Sequence, residues 1–305
     1  MKTFRVPALR RAGFVVLLCL SLPVAAQTQV VMLGTGTPVP DGDRAGQSFA
    51  VVHDGEAYVF DLGGGAVQNA IRASEEKDIK ALYPTNIDHV FFTHLHSDHM
   101  LDYPEMLGTY WWRRDAHINV YGPPPGTQQM SDGVYEMMAP DLKARFAGNQ
   151  PIKDKEGYKA NVTEITKDGT VFEDDGIRID AFSVPHGSLA HAFGYKIVTD
   201  DRTIVISGDT AYSPVVAEQA KGADILIHEA ISQEGLSALP EFWQNYHHDA
   251  HTVSTELAKI ANQAKPGKLV IVHNLFYGAD EDSTLEEVRA AYDGDVVLAD
   301  DLDVY

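Results

Sequence analysis

Cysteine is almost absent from this chain. Of 305 residues one is cysteine, Cys19, and it falls within the N-terminal stretch MKTFRVPALRRAGFVVLLCLSLPVAA. That stretch has a basic start (Lys2, Arg5, Arg10, Arg11), a short apolar centre and small residues ahead of Gln27. This is the pattern of a cleavable signal peptide over residues 1–26. Its apolar run is too short to span a bilayer comfortably, and Leu18 ahead of Cys19 is too large for a lipid-attachment signal. No other run is long and apolar enough to cross a membrane, so the expectation is a secreted or periplasmic protein without a membrane anchor. Residues 27–305 then hold no thiol, which excludes disulfide support, a cysteine nucleophile and a thiolate metal ligand. Any metal must be held by His, Asp or Glu.

Basic residues are also scarce. Lys and Arg number 24 against 44 Asp and Glu, a net charge of −20. Residues 1–26 contain four of the basic residues and none of the acidic ones, so residues 27–305 carry 20 against 44, or −24. Nucleic-acid affinity rests on Lys and Arg neutralising phosphates, so the composition predicts no tight nucleic-acid binding and a surface kept soluble by its charge. The length after cleavage suits one large domain, residues 27–305, with a substantial core.

Apolar runs of strand length alternate with helical periodicity. QVVMLGTGT reads as a strand ending in a glycine turn, and SFAVVHDGEAYVFDLGGG as a hairpin turning at Asp54-Gly55. AVQNAIRASEEKDI is helical, DHVFFT and INVYGPP are strands, and GIRIDAFSVPHG with FGYKIVTDDRTIVISGDT supply three more strands. VVAEQAKGADILIHEA and HTVSTELAKIANQAKPGKLVIVHN each read as helix then strand, and the chain closes on a helix and a strand. Strands followed by helices in both halves predict an α/β (α+β) domain with two mixed sheets face to face and helices outside. Residues 123–160 break this rhythm and read as an insert over one edge, in the manner of a lid. Tyr110, Trp111 and Trp112 just before it suit either a pocket wall or the core.

FFTHLHSDHM, residues 91–100, places three histidines and an aspartate within six positions after an apolar strand. Alternate residues at a strand end point the same way, so His94 and His96 aim at one point, and Asp98 and His99 in the following turn aim at a neighbouring one. That arrangement suits two adjacent metals. Imidazole and carboxylate without thiolate suit zinc, with manganese or iron as alternatives. His186, Asp209, His228 and His273 each follow a further apolar run, where loops carry chemistry.

With these residues in view, the chain resembles the metallo-β-lactamase superfamily of binuclear hydrolases. THLHSDH matches its hallmark motif, SGDT and VIVHN its later motifs, and YVFDLGGG its early strand-turn. The resemblance implies a four-layer αββα sandwich with two zinc ions at one edge. It implies His94, His96 and His186 around the first metal, Asp98, His99 and His273 around the second, and Asp209 between them. It also gives Asp61 an orienting role behind a ligand imidazole. His191 competes with His186, which is preferred because it ends a strand directly.

GTGTPVP, GPPPGT, LIHEA and HTVSTELAKIA resemble the ribonuclease Z and arylsulfatase-like branch. That branch implies a water activated between two metals, with Asp98 contributing to the catalytic set. His251 in HTVST is then the proton donor, supported by His228 and Glu229, with His247 and His248 as less favoured candidates on the loop surface. Relatives allow a homodimer. Only 22 residues separate His186 from Asp209, too few for the tRNA-gripping arm of ribonuclease Z. Together with the leader and the acidic charge, this favours a secreted hydrolase of small sulfate esters, with phosphodiesters second. Ribonuclease Z-like or cyclic-nucleotide phosphodiesterase activity is the alternative, and lactone or β-lactam hydrolysis a weaker third.

Overall fold

A computed structural model describes residues 27–174 and 176–305. The leader expected at 1–26 lies outside the described residues. Two sheets face each other. The first contains β1 (Gln29–Gly34), β2 (Ser48–His53), β3 (Glu56–Phe60), β4 (His89–Phe91), β5 (Asn119–Gly122) and β6 (Asn161–Glu164), in that spatial order. The second contains β7 (Gly169–Asp174), β8 (Ile177–Ser183), β9 (Phe193–Thr199), β10 (Thr203–Ile206), β11 (Ile225–Ile231), β12 (Lys268–Leu275) and β13 (Val296–Leu298), also in sequence order. Each sheet begins with antiparallel hairpins and ends in parallel strands. Parallel pairs need helical crossovers, and these form the outer layers.

On the first sheet the helices are α1 (Ala66–Glu76), α2 (Ser97–Met100), α3 (Tyr103–Tyr110) and α4 (Gly126–Ala147). On the second they are α5 (Pro214–Gln219), α6 (Gln233–Ala238), α7 (Glu241–Ala250), α8 (Ser254–Ala264) and α9 (Ser283–Arg289). The strand periodicity decides which side chain faces which layer. In β8, Ile177, Ile179 and Ala181 point into the space between the sheets. In β11 every residue is buried, because Ile225 and Ile227 face the opposite sheet while Leu226 and Ala230 face α5 and α8. The result is the expected αββα sandwich. Its centre is aromatic: Phe60 lies 5.6 Å from Phe49, 5.1 Å from Phe91 and 5.3 Å from Tyr195, ring centre to ring centre.

The structure departs from expectation in two places and settles an open choice in a third. Residues 123–160 are not a lid, since most of them form α4, which packs against α3, β5 and β6 in the outer layer. Of the two roles open to Trp111 the core is the one observed: it is buried against Trp112, Phe146 and Tyr158. Two edge strands, β6 (NVTE) and β7 (GTVFED), went unseen because they are short, polar and largely open to solvent. The tail DLDVY closes the first sheet beyond β1. Val30 N donates to Tyr305 O, Tyr305 N to Val30 O and Met32 N to Asp303 O. The Asp301 carboxylate accepts from Thr35 N and Ala45 N, pinning the loop after β1.

Phe60→Ala removes the aromatic keystone between the sheets and is expected to cost about 3–5 kcal/mol, read as a shift in the midpoint of chemical unfolding. A loss under about 1 kcal/mol contradicts this packing.

Candidate metal centre

The centre sits where the C-terminal ends of β3, β4, β8, β10 and β12 meet. Local backbone turns aim the side chains. Asp61 directly follows β3 at φ +57° and Asp209 follows Gly208 at φ +60°. A Cβ at Gly208 would lie 2.5 Å from Phe193 O, so only glycine fits that turn. His273 stands at φ +44° where β12 slips register against β11, from Val272 opposite Glu229 to Asn274 opposite Ala230. Such a bulge re-aims a side chain. The DLGGG glycines allow close approach instead, for a Cβ at Gly63 would lie 2.2 Å from Asp98 O.

Four imidazoles converge on Asp209. Its Oδ2 lies 3.4 Å from His273 Nε2, 3.5 Å from His99 Nε2, and 4.0 Å from both His94 Nε2 and His186 Nε2. Asp98 Oδ2 is 3.1 Å from His273 Nε2 and 3.5 Å from His99 Nε2. His186 Nε2 is 3.1 Å from His96 Nδ1. Two sets of donor atoms each fall within 4.8 Å of one another: His94, His96 and His186, and Asp98, His99 and His273. Asp209 lies between the sets.

Hydrogen bonds behind the cluster decide which nitrogen faces inward. His99 Nδ1 donates to Asp61 Oδ2 at 2.8 Å, and Asp61 also accepts from Thr93 N and Thr93 Oγ1, each at 2.8 Å. With its hydroxyl proton given to Asp61, Thr93 Oγ1 accepts from His94 Nδ1 at 3.0 Å. His186 Nδ1 donates to Ala250 O at 2.7 Å. In all three rings Nε2 is left free to point into the cluster. His94 Nε2 is buried without a hydrogen-bond partner among the described residues, which is costly unless a cation or proton meets it. The donor set and this orphaned nitrogen fit two divalent cations.

Burial drives the His94 imidazole well below the usual histidine value, and the charge of His99 adds to it. At His99 burial also opposes charge, yet Asp209 and Asp61 outweigh it and hold the ring well above that value. Asp209 is held well below the carboxylate range, because the charges on His273 and His99 overcome its burial. A buried carboxylate ringed by imidazoles is thus a focus of charge at this edge.

Glu229 and His251 flank the cluster. His251 Nδ1 is 3.3 Å from Glu229 Oε2, and Glu229 Oε1 accepts from Thr252 N at 2.7 Å. This contact between Oε2 and Nδ1 orients the His251 ring. Burial brings His251 down to about 4 and, with the nearby charge of Asp209, pushes Glu229 well above the carboxylate range. His228 does not join them. It occupies the other face of β11, beside Leu226 and Ala230, and its Nδ1 donates to Glu229 O at 2.6 Å. Alternation along a strand imposes this: adjacent residues of one strand face opposite layers. His247 is buried within α7 rather than on a loop surface, His248 is exposed on the same helix, and exposed His191 stacks on Phe193 away from the cluster. The aromatic residues Phe242, Trp243 and Tyr246, which the sequence reading passed over, lie on α7 as well.

The beta-lactamase superfamily domain matches residues 58–274. Ribonuclease Z of Mycobacterium marinum is 30% identical over 280 residues, covering 90% of this chain and 96% of that protein. The chain belongs to the metallo-β-lactamase superfamily, in its ribonuclease Z branch. It is a metal-dependent hydrolase of that family. Among solved structures, the metallo-β-lactamase fold protein YhfI from Bacillus subtilis has a TM-score of 0.67 at 16% identity, covering 92% of this chain and 100% of that one. Human tRNase Z, short form, has a TM-score of 0.64 at 21% identity, covering 91% and 98%. These two show the fold.

The relatives overturn two expectations. The favoured sulfate-ester reading gives way, since proteins similar over nearly the full length are ribonucleases Z. The expectation of no nucleic-acid partner falls with it. Both had leaned on net charge, which speaks of the whole surface and not of one edge.

Thr93→Val cuts the relay between Asp61 and His94 while preserving shape. Metal affinity, measured by competition with a chelator, is expected to fall roughly tenfold to a hundredfold. Unchanged affinity rules out that relay.

Proposed function

We propose that the chain is a two-metal phosphodiesterase of ribonuclease Z type, acting on an RNA phosphodiester. The observation that carries this is the 30% identity to a ribonuclease Z along 96% of that protein. His94, His96 and His186 would hold one ion, Asp98, His99 and His273 the other, and Asp209 would contact both. Zinc is the first choice for such a donor set, with manganese or iron as alternatives. When bound, two such ions lower the pKa of a water and neutralise the non-bridging oxygens of the phosphate.

The remaining chemistry belongs to the chain. Asp61, Thr93 and Ala250 O keep the imidazoles in the tautomer that presents Nε2 inward. With Glu229 protonated and donating to Nδ1, the His251 proton sits on Nε2; as the P–O bond breaks Nε2 gives that proton to the leaving oxygen and Nδ1 takes up the one from Glu229. Residues 187–208 are taken up by β9, β10 and their connections, so the grip on RNA comes from elsewhere than an arm at that point.

His251→Ala is expected to lower kcat roughly 10²–10⁴-fold on a 3′-extended stem RNA, with two metals per chain still found by elemental analysis. Unchanged turnover ends the proton-donor role. A chelator should abolish cleavage and added zinc restore it. Failure to cut RNA in the zinc-loaded protein ends the ribonuclease reading.

A further inference from the structure

The ten-residue helix α7 (EFWQNYHHDA) lies beside the centre. Among the described residues four aromatic side chains are strongly exposed: Tyr83, Phe242 (64%), Trp243 (43%) and Tyr246 (47%). Three of the four sit together on α7. Trp243 lies 4.5 Å from Phe242 and 5.6 Å from Tyr246. Single exposed apolar residues are ordinary on a soluble protein, but a contiguous group is a recognition surface.

These rings run into the candidate metal centre. Trp243 stacks on buried His247 at 6.0 Å and 26°, and His247 lies 5.6 Å from His251. His251 in turn lies 5.3 Å from His186 and 5.6 Å from His273. Tyr277 also packs on His247, ring centre to ring centre at 4.9 Å. Two ring steps therefore separate Trp243 from the residue placed at the leaving oxygen.

The charge pattern narrows the occupant. No Lys or Arg occurs from 222 to 258. This stretch of chain offers π-faces and no cation of its own, so it suits a flat neutral ring whose attached phosphate is answered at the centre. Nucleobases have that chemistry, and stacking on aromatic side chains tolerates any base. An aliphatic partner would not call for three aromatic rings, and a phosphate backbone would find no Lys or Arg on α7 itself.

We propose that Trp243, with Tyr246 beside it, forms a stacking subsite for the nucleobase next to the scissile phosphodiester. The proposal rests on the phosphodiesterase reading above. It makes Trp243 a specificity determinant rather than a catalytic residue.

The test compares thymidine 5′-(4-nitrophenyl phosphate) with methyl 4-nitrophenyl phosphate, which release the same phenolate. Trp243→Ala in the zinc-loaded chain is expected to lower kcat/KM for the thymidine ester roughly tenfold more than for the methyl ester, mostly through KM. Trp243→Phe should retain most of the preference. An equal loss on both esters overturns the subsite, because a purely structural role acts on both. A second readout does not need turnover. Adenosine monophosphate should quench tryptophan fluorescence more than ribose 5-phosphate does, and Trp243→Ala should remove that difference. Base-dependent quenching without cleavage of either ester supports the subsite while sinking the phosphodiesterase reading. Cleavage with no base preference and no base-dependent quenching overturns the subsite and leaves that reading standing. A dimer that Trp243→Ala converts to monomer, with no base effect, assigns the rings to contact between two copies and also overturns it.

Discussion

A buried carboxylate at the seam between two sheets organises this protein. Asp209 comes from the second sheet, and two of the imidazoles within 4.0 Å of it, His94 and His99, come from the loop after β4 in the first. Neither sheet contains the cluster alone. The aromatic packing of Phe49, Phe60, Phe91 and Tyr195 between the sheets sets the spacing that the cluster needs. Packing energy and site geometry are therefore coupled: a core that shifts one sheet moves half of the donors.

The same edge stores local strain. Asp61 and His273 adopt left-handed backbone that non-glycine residues enter at a cost of about 1–3 kcal/mol each. Three hydrogen bonds to Asp61 and the register slip of β12 hold them there. In return, carboxylate and imidazole leave their strands at angles that regular pleating does not provide. Glu229 and His251 extend this design: a central strand buries a carboxylate whose partners are backbone N–H groups and one imidazole.

Whole-chain charge proved a poor guide to substrate. A net charge of −20 describes an average surface, whereas a substrate meets one edge. Locally, the segment that carries α7 has no Lys or Arg, and its exposed feature is a group of rings.

The gathering of His and Asp at one rim and the sandwich were legible in the sequence because both rest on short-range rules. Strand ends deliver His and Asp to one rim, and strand-helix alternation dictates layered packing. The inward face of each imidazole was not legible, because it depends on Thr93, Asp61 and Ala250 meeting across the fold. Nor was the separation of His228 from Glu229 foreseen, although strand alternation alone would have supplied it. The burial of Trp111 and the exposure of Trp243 are the clearest case. The two residues are of one type, and each sits at or just after a helix that carries other aromatic residues. Only the tertiary neighbours, Phe146 and Tyr158 around the first and open solvent around the second, decide which is core and which is surface.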